Sequence, residues 1–135
     1  AHARRLWSIS DRAGLHYKAL REFDKDIIRL FASEKLLAKS HYCWCADDYC
    51  KVLAFTRGDY LFVFNFNPEH SFADYAFKAP EGIWQVVLDS DQAKYDGFCR
   101  NDAAVVHNTL TNRQGDQLLQ LYLPSRTVMV LKRLR

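Results

Sequence analysis

The sequence GDYLFVFNFNP at residues 58–68 decides the fold. Its apolar run is too continuous for a strand with one face in water, and residues that favour turns stand at both ends. The run therefore predicts a strand over 59–66 that lies inside a sheet. Arg57-Gly58-Asp59, at its start, predicts a tight hairpin in which Gly58 supplies a positive φ.

The rest of the chain predicts one helix and several more strands. Apolar residues at steps of three and four predict a helix over 15–32, and residues 3–8 are read as the last turns of an earlier one. Period-two and continuous apolar patterns predict strands over 41–46, 50–57, 72–78, 82–89, 117–123 and 126–133. Residues 90–116 form the longest irregular stretch. We expect a mainly β fold, an antiparallel β-sandwich preceded by a helix.

The composition narrows the possible functions. The 135 residues carry a net charge of +3 without a clustered basic face, so we expect no nucleic-acid partner. No apolar run reaches the roughly 18–20 residues that span a membrane, and the N-terminus has no export signal. Cys43, Cys45, Cys50 and Cys99 lack the paired spacing of a zinc site. We therefore expect reduced thiols in a cytoplasmic protein, no cofactor, and Cys43 and Cys45 on one face of a strand.

Five segments, taken in order, carry a resemblance to a known family. They are RRLWS at 4–8, FVFNFNP at 62–68, DY at 74–75, VVLDSD at 86–91 and YLPSRTVMVL at 122–131. Together they resemble the C-terminal β-domain of 1,4-α-glucan (glycogen) branching enzymes, in the α-amylase superfamily. Asn67 stands where that family usually has His. The loop YDGFCR at 95–100 lacks the usual Gly-Gly-His, and segment 40–50 departs from the family text.

This resemblance implies a division of the chain and a role for it. Residues 1–36 would be the helical end of a catalytic TIM barrel, and 37–135 a C-terminal all-β domain of the α-amylase type. Branching enzymes transfer α-1,4 glucan segments to form α-1,6 branches, using a carboxylate nucleophile and a second carboxyl group. Those groups come from the ends of barrel strands, and no residue here matches them. The resemblance thus implies a non-catalytic, structural fragment whose partners are the upstream barrel and α-glucan.

Aromatic residues, 14% of the chain, are the best candidates for a site. Flat aromatic faces stack on sugar rings, so Trp84, Trp44 and Tyr95 are predicted to form a surface contact with glucan, and Tyr49 is a further candidate. In the competing interpretation these side chains face the core or the barrel. Trp7 and the 15–32 helix are expected to contact the barrel and to leave an apolar patch when it is absent.

Two other functions stay open on the sequence. One is a stand-alone glucan-binding β-sandwich module. The other is the C-terminal domain of a different α-amylase-superfamily hydrolase. The pair Asp89 and Asp91 is interpreted as turn chemistry rather than as a catalytic pair, since neighbouring side chains in a strand or turn point apart.

Overall fold

The computed structural model describes residues 6–135, and of Trp7 the backbone only. Within these described residues, one α-helix, α1 (Tyr17–Ser33), precedes nine strands. The strands are β1 (His41–Asp47), β2 (Val52–Arg57), β3 (Tyr60–Asn65), β4 (Phe72–Lys78), β5 (Ile83–Asp89), β6 (Val106–Asn108), β7 (Leu110–Thr111), β8 (Gln117–Leu123) and β9 (Thr127–Arg133). Short 3₁₀ helices cover Trp7–Asp11, Leu36–Ala38 and Ala93–Tyr95.

The strands form two antiparallel sheets. The larger sheet has the order β1-β2-β3-β9-β5-β6, and the smaller has the order β4-β8-β7. Strand β3 lies inside the larger sheet and is buried along nearly its whole length, as its continuous apolar sequence predicted. The predicted hairpin before it is confirmed, because Arg57 pairs with Tyr60 and Gly58 has a φ of 55°.

The two sheets pack face to face around an aliphatic core, so the predicted antiparallel β-sandwich is confirmed. The larger sheet contributes residues such as Ala54, Leu61 and Leu131, and the smaller contributes Leu119 and Leu121. Helix α1 covers part of the opposite face of the larger sheet. There it builds a second, aromatic-rich cluster, made of Leu36, Tyr60, Phe62, Leu88 and Val130 with Phe23, Ile27, Leu30, Phe31, Phe55, Phe64 and Tyr95 against them.

Several boundaries differ from the sequence predictions. Helix α1 begins at Tyr17 rather than Leu15, because Gly14 has a φ of 84° and His16 is not helical. Of the predicted helix over 3–8, residues 3–5 lie outside the described part, and a 3₁₀ helix at Trp7–Asp11 follows. The stretch 90–116, predicted to be irregular, contains the short strands β6 and β7. Such short strands carry too few residues to show a period.

A β-bulge in β1 overturns the prediction that Cys43 and Cys45 share one face. Cys43 pairs with Phe55, whereas Cys45 pairs with Ala54, the adjacent residue of β2. The extra residue breaks the period of two and turns the two thiols to opposite faces. Cys43 is exposed and Cys45 packs against the core. All four cysteines are free thiols.

Candidate functional site

The three predicted sugar-binding aromatics lie in three separate places. Trp44 is on the edge strand β1, Trp84 is on β5, and Tyr95 ends a 3₁₀ helix beneath α1. Three strands separate β1 from β5 in the sheet order, so Trp44 and Trp84 cannot share a ligand. The structure does not assemble these residues into one surface.

The prediction that Trp84 lies at the surface is wrong. Its side chain is 0% exposed and belongs to the core between the sheets, and its Nε1 donates a 3.3 Å hydrogen bond to the carbonyl of Pro80. Trp84 shares its face of β5 with Val86, and this face is turned toward the smaller sheet. Burial of so large an apolar surface, with the indole N–H satisfied, leaves no face for a sugar.

Tyr95 fastens α1 to the sandwich. Its hydroxyl donates a 2.6 Å hydrogen bond to Asp26 Oδ2, and its ring meets Phe23 edge-on with centroids 5.2 Å apart. Lys94 also pairs with Asp26. Hydrogen bonds from Lys94 and then Tyr95 lower the pKa of Asp26, while burial and the Asp26 carboxylate raise the pKa of Tyr95. A glucan contact by Tyr95 stays a prediction, and its hydroxyl already donates a hydrogen bond to Asp26.

Trp44 has a neighbour that the sequence analysis missed. Its Nε1 donates a 3.0 Å hydrogen bond to Thr56 Oγ1, which fixes the indole, and the ring of Tyr42 lies beside it with centroids 4.6 Å apart. The two rings are inclined at 59°. The spacing Tyr-x-Trp was a usable signal, because residues two apart on a strand share a face. Tyr49, in the turn after β1, is 94% exposed.

The Asp89-Ser90-Asp91 segment is a structural junction, in line with its interpretation as turn chemistry. Asp91 accepts two 2.9 Å hydrogen bonds from the Arg100 guanidinium, and its oxygens also accept from the backbone N–H groups of Phe98 and Arg100. Asp89 Oδ1 accepts from the N–H of Asp91 at 2.8 Å, and Ser90 Oγ accepts from the N–H of Val128 at 2.9 Å. These bonds tie the end of β5 to the 98–100 loop and to β9.

The pKa values of the two carboxyl groups, Asp89 and Asp91, are shifted in opposite directions. Burial opposes ionisation of Asp91, but the hydrogen bonds from Arg100 and the loop backbone outweigh it and lower the pKa of Asp91. Burial, and after it the negative charge of Asp91, raises the pKa of Asp89. Gly97 is required here, because a Cβ on it would lie 2.1 Å from the carbonyl oxygen of Asp91. Both carboxyl groups thus serve the loop rather than a substrate.

Cys45 and Cys50 belong to a second polar cluster, at the end of β1. The Tyr75 hydroxyl donates a 2.6 Å hydrogen bond to Asp47 Oδ2 and lies 3.6 Å from Cys45 Sγ, and burial raises the pKa of the Cys50 thiol. Within residues 6–135, no three His, Cys, Asp or Glu side chains gather where a metal ion would be held.

Helix α1 is apolar over a wider arc than the sheet covers. Phe23, Ile27 and Leu30 face the sheet. Tyr17, Leu20 and Ile28 recur at helical spacing on a neighbouring stripe and are 54%, 57% and 65% exposed. Leu37, just after the helix, is 77% exposed. Ile28 and Leu37 line a 670 Å³ concavity, whose remaining walls are Ile27, Phe31, Ala32, Lys35 and Ala38. This open apolar stripe fits a protein surface rather than a sugar.

The fold and the surfaces of this chain define a two-sheet β-sandwich domain with a leading helix, of which one side packs on the larger sheet and the other is exposed. The family model described as "Alpha amylase, C-terminal all-beta domain" matches residues 44–133. The chain therefore belongs to the α-amylase C-terminal all-β domain family.

Curated relatives agree with this family. The chain is 35% identical over 137 residues to a protein of Eremothecium gossypii named 1,4-alpha-glucan-branching enzyme, and the match covers 98% of the chain. Proteins with the same name from Dictyostelium discoideum and Saccharomyces cerevisiae are each 34% identical, over 98% and 96% of the chain. The chain spans about a fifth of the length of these relatives, 19–20%.

No helix in the described part of the chain is long and apolar enough to cross a membrane.

Proposed function

We propose that this chain is the non-catalytic C-terminal domain of a 1,4-α-glucan branching enzyme, and that α1 joins it to the catalytic part. The similarity over nearly the whole chain to proteins of that name, of which it spans a fifth, supports this assignment. The parent protein would cut α-1,4 linkages of glucan and rejoin the released segments through α-1,6 linkages. Its carboxyl groups for that chemistry would lie in a barrel outside these residues.

The exposed stripe of α1 is the observation that carries the proposal. Large apolar side chains at more than half exposure are costly in water, and Tyr17, Leu20, Ile28 and Leu37 are concentrated on one helix and its exit. The helix thus has two apolar faces, one used by the sheet and one free. A second protein layer belongs on the free face, and the rest of a protein about five times longer supplies it.

The division predicted at residue 36 belongs to this proposal. Leu36 is 1% exposed and packs beneath the sheet, with the Arg57 guanidinium donating a 3.3 Å hydrogen bond to its carbonyl. Residues 1–36 would serve both the barrel and the sandwich, as a shared layer. The four free thiols support a reducing compartment, so we place the protein in the cytoplasm.

Two measurements test the proposal. The 135-residue chain alone should leave the iodine absorbance of amylose unchanged, because it lacks the reacting groups. In the longer gene product that the proposal requires, Ile28→Ser with Leu37→Ser should lower the branching rate and the thermal midpoint. Lys18→Ser, on the polar side of the same helix, is the matched control and should change neither.

Either of two results would contradict the proposal. One is branching by the chain alone. The other is a longer protein in which the double variant behaves as wild type. A reading frame without a catalytic part would leave the stand-alone glucan-binding module as the function, and a parent that only hydrolyses glucan would favour the other α-amylase-superfamily alternative.

A further inference from the structure

We propose that Tyr42 and Trp44 form a platform that holds a chain of α-1,4-linked glucose on the edge strand β1. The choice of sugar rests on the proposed function, while the platform itself rests on the geometry of β1. Trp44 was a candidate on its own, and the structure adds Tyr42 and the strand edge. Tyr95 and Trp84 have no part in it.

The Trp44 half of the platform is fixed before any ligand arrives, and the Tyr42 ring rests against it. The indole of Trp44 is held by its hydrogen bond to Thr56 Oγ1 and packs partly against the core, while the Tyr42 side chain is 60% exposed. Rings held in this way lose little conformational entropy when a ligand stacks on them. The rings of Phe55 and Phe62 stack on each other beneath α1, whereas this pair is at the surface of the strand.

The backbone of β1 supplies polar groups beside the rings. Strand β1 is an edge strand of the larger sheet, and among the described strands it pairs only with β2. Along its outer edge β1 presents backbone N–H and C=O groups that no described strand pairs with, and such groups can bind sugar hydroxyls. A sugar ring needs both kinds of surface, an aromatic face for its C–H side and hydrogen-bonding groups for its hydroxyls.

The inclination of the rings favours a curved ligand. The two planes meet at 59°, so the surface they present is bent. α-1,4-Glucan winds into a helix, in which successive sugars are inclined to one another, whereas β-1,4-glucan is a flat ribbon. A protein strand is the other occupant to consider at a sheet edge. The bulge at Trp44 opposes it, because a bulge twists the edge out of register with an incoming strand.

Titration with maltoheptaose, followed by tryptophan fluorescence, tests the platform in the 135-residue chain. A bound sugar should change the emission of Trp44, which is half-buried at the surface, and Trp44→Phe should remove that change in emission while Trp7 and Trp84 remain. Trp44→Ala and Tyr42→Ala should each weaken retardation in a glycogen-containing gel about tenfold, as truncation of an aromatic anchor does. Trp44→Phe should keep part of the binding, and cellohexaose should bind less than maltoheptaose.

Tyr17→Ala is the matched control. It is the same substitution at a similar exposure, 54% against 60%, on the helix side of the sheet, and it should leave binding unchanged.

Tyr42→Ala removes a mostly exposed ring, so unchanged thermal unfolding will separate lost binding from lost folding. The platform is overturned if maltoheptaose gives no saturable change, or if neither Trp44→Ala nor Tyr42→Ala weakens it. Concentration-dependent dimerisation through β1 would also overturn it, in favour of strand pairing. None of these outcomes alters the branching assay or the Ile28 and Leu37 variants, which judge the proposed function separately.

Discussion

The two faces of the larger sheet are covered to different extents. Toward the smaller sheet, Leu61 and Leu131 are 0% exposed, and the packing is closed and mainly aliphatic, with Trp84 among its members. Toward α1, four Phe rings, Phe62, Phe55, Phe64 and Phe66, stack in sequence along the sheet. The last of them is 59% exposed. One face is complete within this chain, whereas the other is complete only where the helix lies.

This difference separates stability from assembly. The closed face is sufficient to hold the sandwich together, because its side chains come from both sheets. The open face adds the helix, and the helix carries the surface that we assign to the rest of the enzyme. Variants on the two faces should therefore affect different measurements.

Trp84→Ala, on the closed face, should have the largest effect. Removing an indole that is 0% exposed leaves a cavity and should lower the free energy of unfolding by about 3–5 kcal/mol. Urea denaturation followed by circular dichroism measures it. Ile28→Ala, on the open face, should change the stability of this chain by less than about 0.5 kcal/mol. Equal losses in the two variants would contradict the contrast between the faces.

Asp91→Asn, at the junction after β5, should have the next largest effect. The Asp91 side chain is 3% exposed and that of Arg100 is 29% exposed, so an amide in place of the carboxylate leaves the guanidinium half-satisfied. We expect a loss of about 2–3 kcal/mol in urea unfolding at neutral pH. Asp48→Asn is the matched control, because that side chain is fully in water, where it pairs with Lys51.

The same variant should change how stability responds to acid. Because the pKa of Asp91 is lower in the folded state, its contribution is present above the unfolded pKa of about 3.9 and is lost as pH falls through the folded pKa. The contribution of Asp89 to stability has the opposite dependence on pH. Its raised pKa favours the folded state at low pH, and this contribution is lost as pH rises through the folded pKa. Asp91→Asn should therefore flatten the acid limb of the stability curve. If Asp89→Asn flattens it instead, the assignment of the two carboxyl groups is reversed.

Of the variants that break an internal contact, Tyr95→Phe should have the smallest effect, and it sharpens the contrast between the faces. It removes the hydroxyl bond to Asp26 while keeping the ring against Phe23, so about 1 kcal/mol should be lost. Hydrogen exchange should quicken in the amides of α1 and stay unchanged in β3 and β9. Faster exchange in β3 would show that helix and sandwich open together as one unit.

Much of the sandwich could be predicted from local pattern. The seven longer strands and α1 were predicted within about two residues, because apolar periodicity follows directly from which face is buried. β6 and β7 were not, since strands of three and two residues are too short to show a period. Of the candidate site, Trp44 was found at the surface and Tyr42 was missed, while Trp84 was assigned to the wrong side of its strand.

From the amino-acid sequence alone a β-sandwich with a leading helix could be predicted, and the resemblance of its segments indicated the α-amylase C-terminal type. Alternation and turn residues act over a few positions, and they are readable without knowing the partner of any strand. Which aromatic side chains face water depends instead on how the strands and the helix pack. The bulge at Trp44, the burial of Trp84 and the bond from Tyr95 to Asp26 depend on contacts between residues 12 to 69 positions apart, or on register within a sheet. Periodicity tells that a strand has two faces, and only packing decides which of them is inside.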